Sequence, residues 1–327
     1  MNEIQIVDRL VVDVVIDNLS DSYSSKPAHV SPEFDNVIAA GAAEISGETL
    51  CCAQLGLGLV LTATAGLRQY KLMFDAGPEG SIFLRNAAAL GITLSDVQAI
   101  AISHGHWDHM GALLSVLDRI QAGNGGSSVP CYTNPGMFVE RAARLTSGAI
   151  GRFQHVPTPA LLSQHGADVV NRDEEALLLD GHFYLSGEIP RVSDFEKGRP
   201  DHLCRPHPEA EWQPDPLLMD ERFLAVQIRG KGLLIFSSCS HAGVINVLLH
   251  ARSRFPDVPL YGVLGGLHLS GAAMEPLIPA TVEALKQFNL KQIMTAHCTG
   301  WRAVSALVQA FGEVAVTPCA VGSRFNF

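Results

Sequence analysis

The run Ser103-His104-Gly105-His106-Trp107-Asp108-His109 places three imidazoles and one carboxylate within six positions. All four side chains coordinate first-row metals. The run follows the apolar stretch 97–102 (VQAIAI), which reads as a buried strand, and Gly105 lets the backbone bend where that strand ends. Alternate residues of an extended segment point the same way, so His104 and His106 grip one ion while Asp108 and His109, past the bend, face a neighbouring position. Imidazole suits zinc, iron and other borderline metals, and the carboxylate oxygen widens the choice. The bland alternative is a histidine-rich surface loop. With 13 His in 327 residues, four ligand-type side chains packed behind one strand are a poor match to chance.

The rest of the chain supplies elements to position this loop. An alternating apolar segment at 4–16 reads as an opening strand, residues 20–48 as a Ser- and Pro-bearing excursion, and 56–64 with 71–74 as a hairpin followed by a helix over 81–90. Beyond the histidine loop the pattern predicts a helix over 110–120, a short strand over 130–132 and a helix over 135–145. Residues 148–218 carry eight of the prolines and read as a loop-rich insertion of the kind that often contacts substrate. Regular structure returns as a hairpin (223–228 and 233–236), then helix 244–254, strand 260–264, helix 276–288, strand 292–295 and helix 301–311. Hairpins first and strand–helix alternation later fit two packed sheets flanked by helices, an α/β (α+β) chain. Although length alone would suit two domains, 1–327 reads as a single domain.

Six phrases make the pattern nameable: Phe74-Asp75-Ala76-Gly77, the 103–111 loop, Gly187-Glu188-Ile189-Pro190-Arg191-Val192, Ser238-Cys239-Ser240-His241-Ala242-Gly243, Gly265-Gly266-Leu267-His268-Leu269 and His297-Cys298-Thr299-Gly300. In this order, from about residue 50 onward, they resemble the metallo-β-lactamase fold superfamily of metal-dependent hydrolases, and within it the dihydropteroate-synthase-like branch. The resemblance implies a four-layer αββα sandwich with the metal site at one sheet edge. It places the last metal ligand at His297, which joins Asp108 and His109, and gives Asp75 the role of accepting an imidazole N–H to hold the histidine loop. The chain also departs from the pattern. Relatives such as glyoxalase II carry a metal-bridging aspartate after the strand 233–236, where this chain offers Cys239 or Ser240, and another histidine at the hairpin's start, where it offers Asp220-Glu221. His241 is therefore expected to complete the set of His104 and His106, and one metal or two remain open.

Other residues enter more weakly. His268 lies at a strand end beside Gly265-Gly266, where the backbone can approach closely, and suits substrate binding or proton transfer better than ligation. Cys239 and Cys298 flank the histidines at 241 and 297; thiolates bind zinc, yet small buried cysteines are more often core residues. Asn18, after the first strand, and Arg191, with a planar fork suited to a carboxylate or phosphate, are candidates for substrate contact.

Composition bounds the function. A hydrophobic content of 47% against 17% charged residues provides for a large core. A net charge of -10 with no Lys/Arg cluster argues against nucleic acid and favours a small-molecule substrate. The seven cysteines are odd in number, scattered and lack a C-x-x-C pair, so no disulfide framework is expected. No run reaches 18 apolar residues and Met1 to Gln5 lead into no signal-type core, so the expectation is a cytoplasmic protein with no membrane partner. The 20–48 excursion suits a lid or a subunit contact, as in a homodimer. The expected cofactor is Zn2+, one or two ions, with Mn2+ or Fe2+ as alternatives. The expected chemistry is hydrolysis: metal-activated water attacks a phosphodiester, an ester or lactone, or a carbon–halogen bond, with Asp108 orienting the water or taking its proton and His268 meeting the substrate oxygen. The alternatives are a pterin-related synthase or transferase and a non-catalytic metal-bound ligand sensor. Iron-based oxygen reduction on the same fold needs an electron-donor domain, and no such extension is seen.

Overall fold

A computed structural model describes residues 3–327; Met1 and Asn2, part of the N-terminal segment read above and of the 1–327 span, lie outside the described residues. Two large sheets face each other. The first runs Ala167–Asn171, Val129–Thr133, Ala99–Ala101, Arg68–Phe74, Gly58–Ala65, Arg9–Ile16, Arg324–Asn326, Val30–Ser31. The second runs Ala176–Leu178, Phe183–Leu185, Leu224–Ile228, Gly232–Ser237, Leu260–Gly265, Gln292–Thr295, Val316–Pro318, with Ile6–Val7 added beside Leu224–Ile228.

Their inner faces interdigitate: Leu59, Leu61 and Phe74 of the first sheet share a buried cluster with Leu224, Phe236 and Met294 of the second. The outer faces are covered by helices. Leu113–Gly123 buries Leu113, Val116, Leu117 and Ile120, the i, i+3, i+4, i+7 stripe of an amphipathic helix, against Val60, Ile100 and Phe83. On the other side Val247, Leu248, Leu285 and Leu307, from Val244–Arg254, Ile278–Leu285 and Trp301–Phe311, pack on Ile235 and Val263. The layers are α, β, β, α, as the resemblance implies.

The connections put chemistry at one edge. Arg68–Phe74 and Ala99–Ala101 are parallel, with Phe74 beside Ala101. In the second sheet Gly232–Ser237, Leu260–Gly265 and Gln292–Thr295 are parallel, with Ser237, Gly265 and Thr295 level across the three strands. The loops that follow these strands therefore open together, the placement that makes the carboxyl ends of parallel strands a binding edge.

Two expectations need correction. The segment 135–145 is not helical: Asn134 caps a short turn of 3₁₀ helix, Pro135–Phe138, and Glu140–Arg144 is a strand paired with His202–Arg205. Helix-prone Glu, Arg and Ala lose there to non-local pairing. Nor is 148–218 simply loop. Ala167–Asn171 joins the first sheet, Ala176–Leu178 and Phe183–Leu185 join the second, and His202–Arg205 centres a third, four-stranded sheet with Glu140–Arg144, Ile150–Arg152 and Gln213–Pro214. The 20–48 excursion carries the helix Glu33–Ala39 and is tied to the C-terminal strand by Val30–Ser31 and by Asn36 Nδ2, which donates to the Gly322 carbonyl at 2.8 Å.

Candidate metal centre

Each of the ligand-type residues singled out in the sequence sits just past a strand end, several in costly backbone. Asp75, Ser240, His268 and His297 hold φ of 58°, 58°, 49° and 46°, the left-handed region that costs non-glycine residues about 1 kcal/mol or more. Surrounding structure maintains this conformation. The His104–His106 turn is held by Asp220, which accepts from the Gly105 N–H at 2.9 Å and takes Arg141 Nη2 at 2.6 Å, while Arg141 Nη1 donates to the Gly105 carbonyl at 2.9 Å. The glycine is required: a Cβ there would lie 2.3 Å from the Met137 carbonyl oxygen. Glu221 accepts the His241 and Ala242 N–H groups at 2.8 and 2.6 Å and fixes the second loop.

Two ligand groups result. One nitrogen each of His104, His106 and His241 lie within 4.8 Å of one another, and so do ligand atoms of Asp108, His109 and His297. The two groups abut, with the His104 and His109 rings 4.3 Å apart. Cys239 lies between: its Sγ is 3.3 Å from His109 Nε2, and it forms further groups with His104 and His109, with His241 and His268, and with His297 and Cys298.

Proton positions follow from the hydrogen bonds. Asp75 Oδ2 accepts from His109 Nδ1 at 2.7 Å, which leaves the lone pair on Nε2 toward the centre. The same oxygen accepts the Ser103 hydroxyl proton at 2.7 Å, so Ser103 Oγ accepts in turn from His104 Nδ1 at 2.8 Å and the His104 lone pair is also on Nε2. One buried carboxylate thus sets two tautomers. His104 Nε2 stands 3.0 Å from His106 Nδ1. His106 Nε2, both ring nitrogens of His241 and His297 Nδ1 are buried with no hydrogen-bond partner among the described residues.

Charge is arranged to match. Burial, reinforced by neighbouring imidazoles or arginine, holds His104, His106 and His241 well below the usual histidine pKa, so they stay neutral and ligand-competent near pH 7. Burial alone would raise the Asp108 carboxyl, but His109, His297 and His106 outweigh it and keep the group ionised below the ordinary carboxylate range. Burial would lower His297, yet Cys298 and Asp108 raise it to about 9, consistent with the 3.3 Å approach of its Nε2 to Asp108. Neutral His104, His106 and His241, with orphaned nitrogens on the last two, preset tautomers and an ionised carboxylate fit a metal, which those three on one side and Asp108, His109 and His297 on the other would hold, His297 giving up its proton on ligation.

The remaining expectations fare differently. His268 adjoins His241, rings 4.3 Å apart, and its Nε2 is 2.9 Å from Arg199 Nη1. A guanidinium only donates, so the His268 proton is on Nδ1. Asn18 lines a pocket that also takes in His297 of the second ligand group. The two terminal nitrogens of Arg191 donate to the backbone carbonyls of Ile189, Leu217 and Leu218. Asp220, left open by the sequence, is committed to Arg141 and Gly105.

His202 was not legible in the sequence. It arrives from the third sheet, buried, with its ring 5.3 Å from His106 and 5.2 Å from His241, and burial followed by Arg199 lowers it to about 3. The insertion carrying it is pinned by Glu196, which accepts from the Ile245 and Asn246 N–H groups, both at 2.9 Å, at the start of the helix Val244–Arg254.

A four-layer sandwich with histidine-bearing loops at the carboxyl edges of both sheets defines a class, and comparison with known proteins agrees. Residues 67–182 match the family model of the metallo-beta-lactamase superfamily. That match covers about a third of the chain, 116 of 327 residues, and over it the chain is similar to that superfamily. Among individual relatives, it is 28% identical over 263 residues, 80% of this chain and 86% of the other, to the 7,8-dihydropterin-6-methyl-4-(beta-D-ribofuranosyl)-aminobenzene-5'-phosphate synthase of Methanocaldococcus jannaschii. The fold is shared with Tm1679, a metal-dependent hydrolase of the beta-lactamase superfamily, at a TM-score of 0.67 and 20% identity, covering 97% of this chain and 98% of that one. It is shared also with the metallo-beta-lactamase fold protein YhfI of Bacillus subtilis, at a TM-score of 0.51 and 11% identity over 98% and 100% of the two chains.

Proposed function

We propose that the protein is a metal-dependent hydrolase of a small molecule, with two zinc ions held by the two ligand groups. The observation that carries this reading is the pair of abutting sets, His104/His106/His241 and Asp108/His109/His297, with the lone pairs of His104 and His109 aimed inward by Asp75 and Ser103. When bound, such ions supply Lewis acidity and bring a water's pKa toward neutrality. The chain's own residues divide the rest. Asp108, ionised and below the ordinary range, is too weak a base to keep a proton, so it orients the attacking water. His268, its proton set on Nδ1 by Arg199, donates to the substrate oxygen as charge builds. His202 and Phe153, whose rings lie 6.2 Å apart, cover the His106 side and limit access of water.

A second reading, a synthase of a dihydropterin joined to a ribofuranosyl-aminobenzene phosphate like the relative's, is favoured by the 28% identity that extends over 80% of the chain. The two are separated by loading the protein with zinc and assaying phosphodiester, ester, lactone and haloalkane substrates beside the synthase components. Zinc-dependent turnover of one hydrolytic class, lost in Asp108→Ala and His106→Ala, is the expected result. Product formed only from the pterin pair would favour the synthase, and full turnover in the metal-stripped protein would end both readings. Localisation and partners are proposed on the same footing: a cytoplasmic enzyme acting on a small molecule, as a monomer or homodimer. Among the described residues no helix is long and apolar enough to cross a membrane.

A further inference from the structure

Beside His297 lies a pocket of about 270 Å³ lined among others by Asp17, Asn18, Thr295, His297, Trp301 and Val304. None of the roles proposed above uses it. Its volume falls below the roughly 300–1,000 Å³ of complete small-molecule sites, so it suits one moiety of a ligand whose remainder lies elsewhere. Because His297 belongs both to this pocket and to the Asp108 group, that remainder extends into the metal centre.

The lining is specific. Asp17 is fully buried; one carboxylate oxygen accepts the Leu19 and His297 backbone N–H groups, each at 3.3 Å, and the other, Oδ2, has no partner among the described residues. Thr295 Oγ1 and His297 Nδ1 are likewise buried without partners. A buried carboxylate oxygen left unpaired costs free energy, which a donor on a ligand recovers. At the mouth, Trp301 is 71% exposed although it opens a helix. The Arg302 guanidinium lies 4.4 Å from the centre of its ring, and an exposed aromatic ring is a surface for stacking.

We propose that this pocket seats a flat nitrogen heterocycle whose N–H edge is read by Asp17 and Thr295 and whose ring stacks on Trp301. It is the recognition subsite for the non-reacting end of the substrate. The proposal rests on the neighbouring centre being an active site, but its test does not require turnover.

The test measures equilibrium binding of two fragments to the full chain, with and without zinc, by tryptophan fluorescence and saturation-transfer NMR. One fragment is 2-aminobenzimidazole, a flat ring with an N–H edge; the other is quinoline, of similar shape with no N–H. The expected result is binding of 2-aminobenzimidazole at least about tenfold tighter than quinoline, since only the former brings an N–H edge to the unpaired Asp17 oxygen. Asp17→Asn removes that preference. Trp301→Ala, an exposed position whose change leaves the core intact, weakens both fragments. No binding of 2-aminobenzimidazole, equal binding of both fragments, or binding unchanged in Trp301→Ala would overturn the proposal. A hydrolytic panel that fails while this pattern holds would count against the assigned reaction and not against the subsite.

Discussion

Replacing Asp75 by Asn isolates what one carboxylate does for the metal centre. Asn tolerates the left-handed backbone that Asp75 occupies at φ 58° and has nearly the same volume, so the substitution changes charge and donor pattern and little else. The carboxylate accepts three hydrogen bonds, from the Ser103 N–H at 2.8 Å, the Ser103 hydroxyl at 2.7 Å and His109 Nδ1 at 2.7 Å. An amide offers one acceptor oxygen and an NH2 that can only donate, so Ser103 or His109 must turn. If His109 shifts its proton to Nε2, the lone pair leaves the centre; if Ser103 reverses, His104 loses the same control. Loss of such a supporting partner costs about 10–100-fold in metal affinity. Both ligand groups are touched, and the upper part of that range is expected. Ser103→Ala, which frees only His104, should cost less, and the double variant should show a non-additive total because both act through one relay. Competition of zinc against a chromophoric chelator measures these affinities. Affinity of Asp75→Asn within about twofold of the parent protein would refute the reasoning.

Three further outcomes follow from the same geometry. For the metal-free protein, His104, His106 and His241 exclude protons that the unfolded chain binds below pH about 6.5; their depressed pKa values make stability fall as pH drops through that value, with a slope approaching about 4 kcal/mol per unit for three groups at about 1.4 each once the unfolded histidines are fully protonated, while zinc loading delays the loss, all measurable by urea unfolding between pH 7 and 5. Arg141→Ala leaves Asp220 buried without its cation and should destabilise by about 3–5 kcal/mol in chemical denaturation, whereas a cost under about 1 kcal/mol would show that the pair does not hold the turn. Gly105→Ala places a Cβ against the Met137 carbonyl and Arg141, so the loop must shift, and zinc stoichiometry by mass spectrometry should drop even where circular dichroism shows a folded chain.

Much of this was legible in the sequence because it is local. The metal loop behind a buried strand, the helices Val244–Arg254 and Trp301–Phe311 and the strand Gln292–Thr295 announce themselves by period and composition, and 241 and 297 stand directly behind strands. What was hidden depends on distant partners. Glu140–Arg144 carries helix-prone residues and becomes a strand only because His202–Arg205 pairs with it, and that pairing brings both Arg141 to the Gly105 turn and His202 over the centre. His202 follows Arg199-Pro200-Asp201 with no period to place it. Arg191 looked like a substrate fork because its type is suited to anions, but the fold gives it carbonyls to hold. The Asp75–Ser103–His104 relay spans 28 residues between its first two members, a link no spacing rule carries.

The central claim is that two ligand groups, rebuilt around His241 and closed by His297, each hold a metal. Zinc content of the reconstituted protein and of His241→Ala and His297→Ala, measured by inductively coupled plasma mass spectrometry, tests it most directly. Two equivalents in the parent chain and one in each variant is the predicted result; parent protein without zinc, or variants that both retain two equivalents, would contradict it.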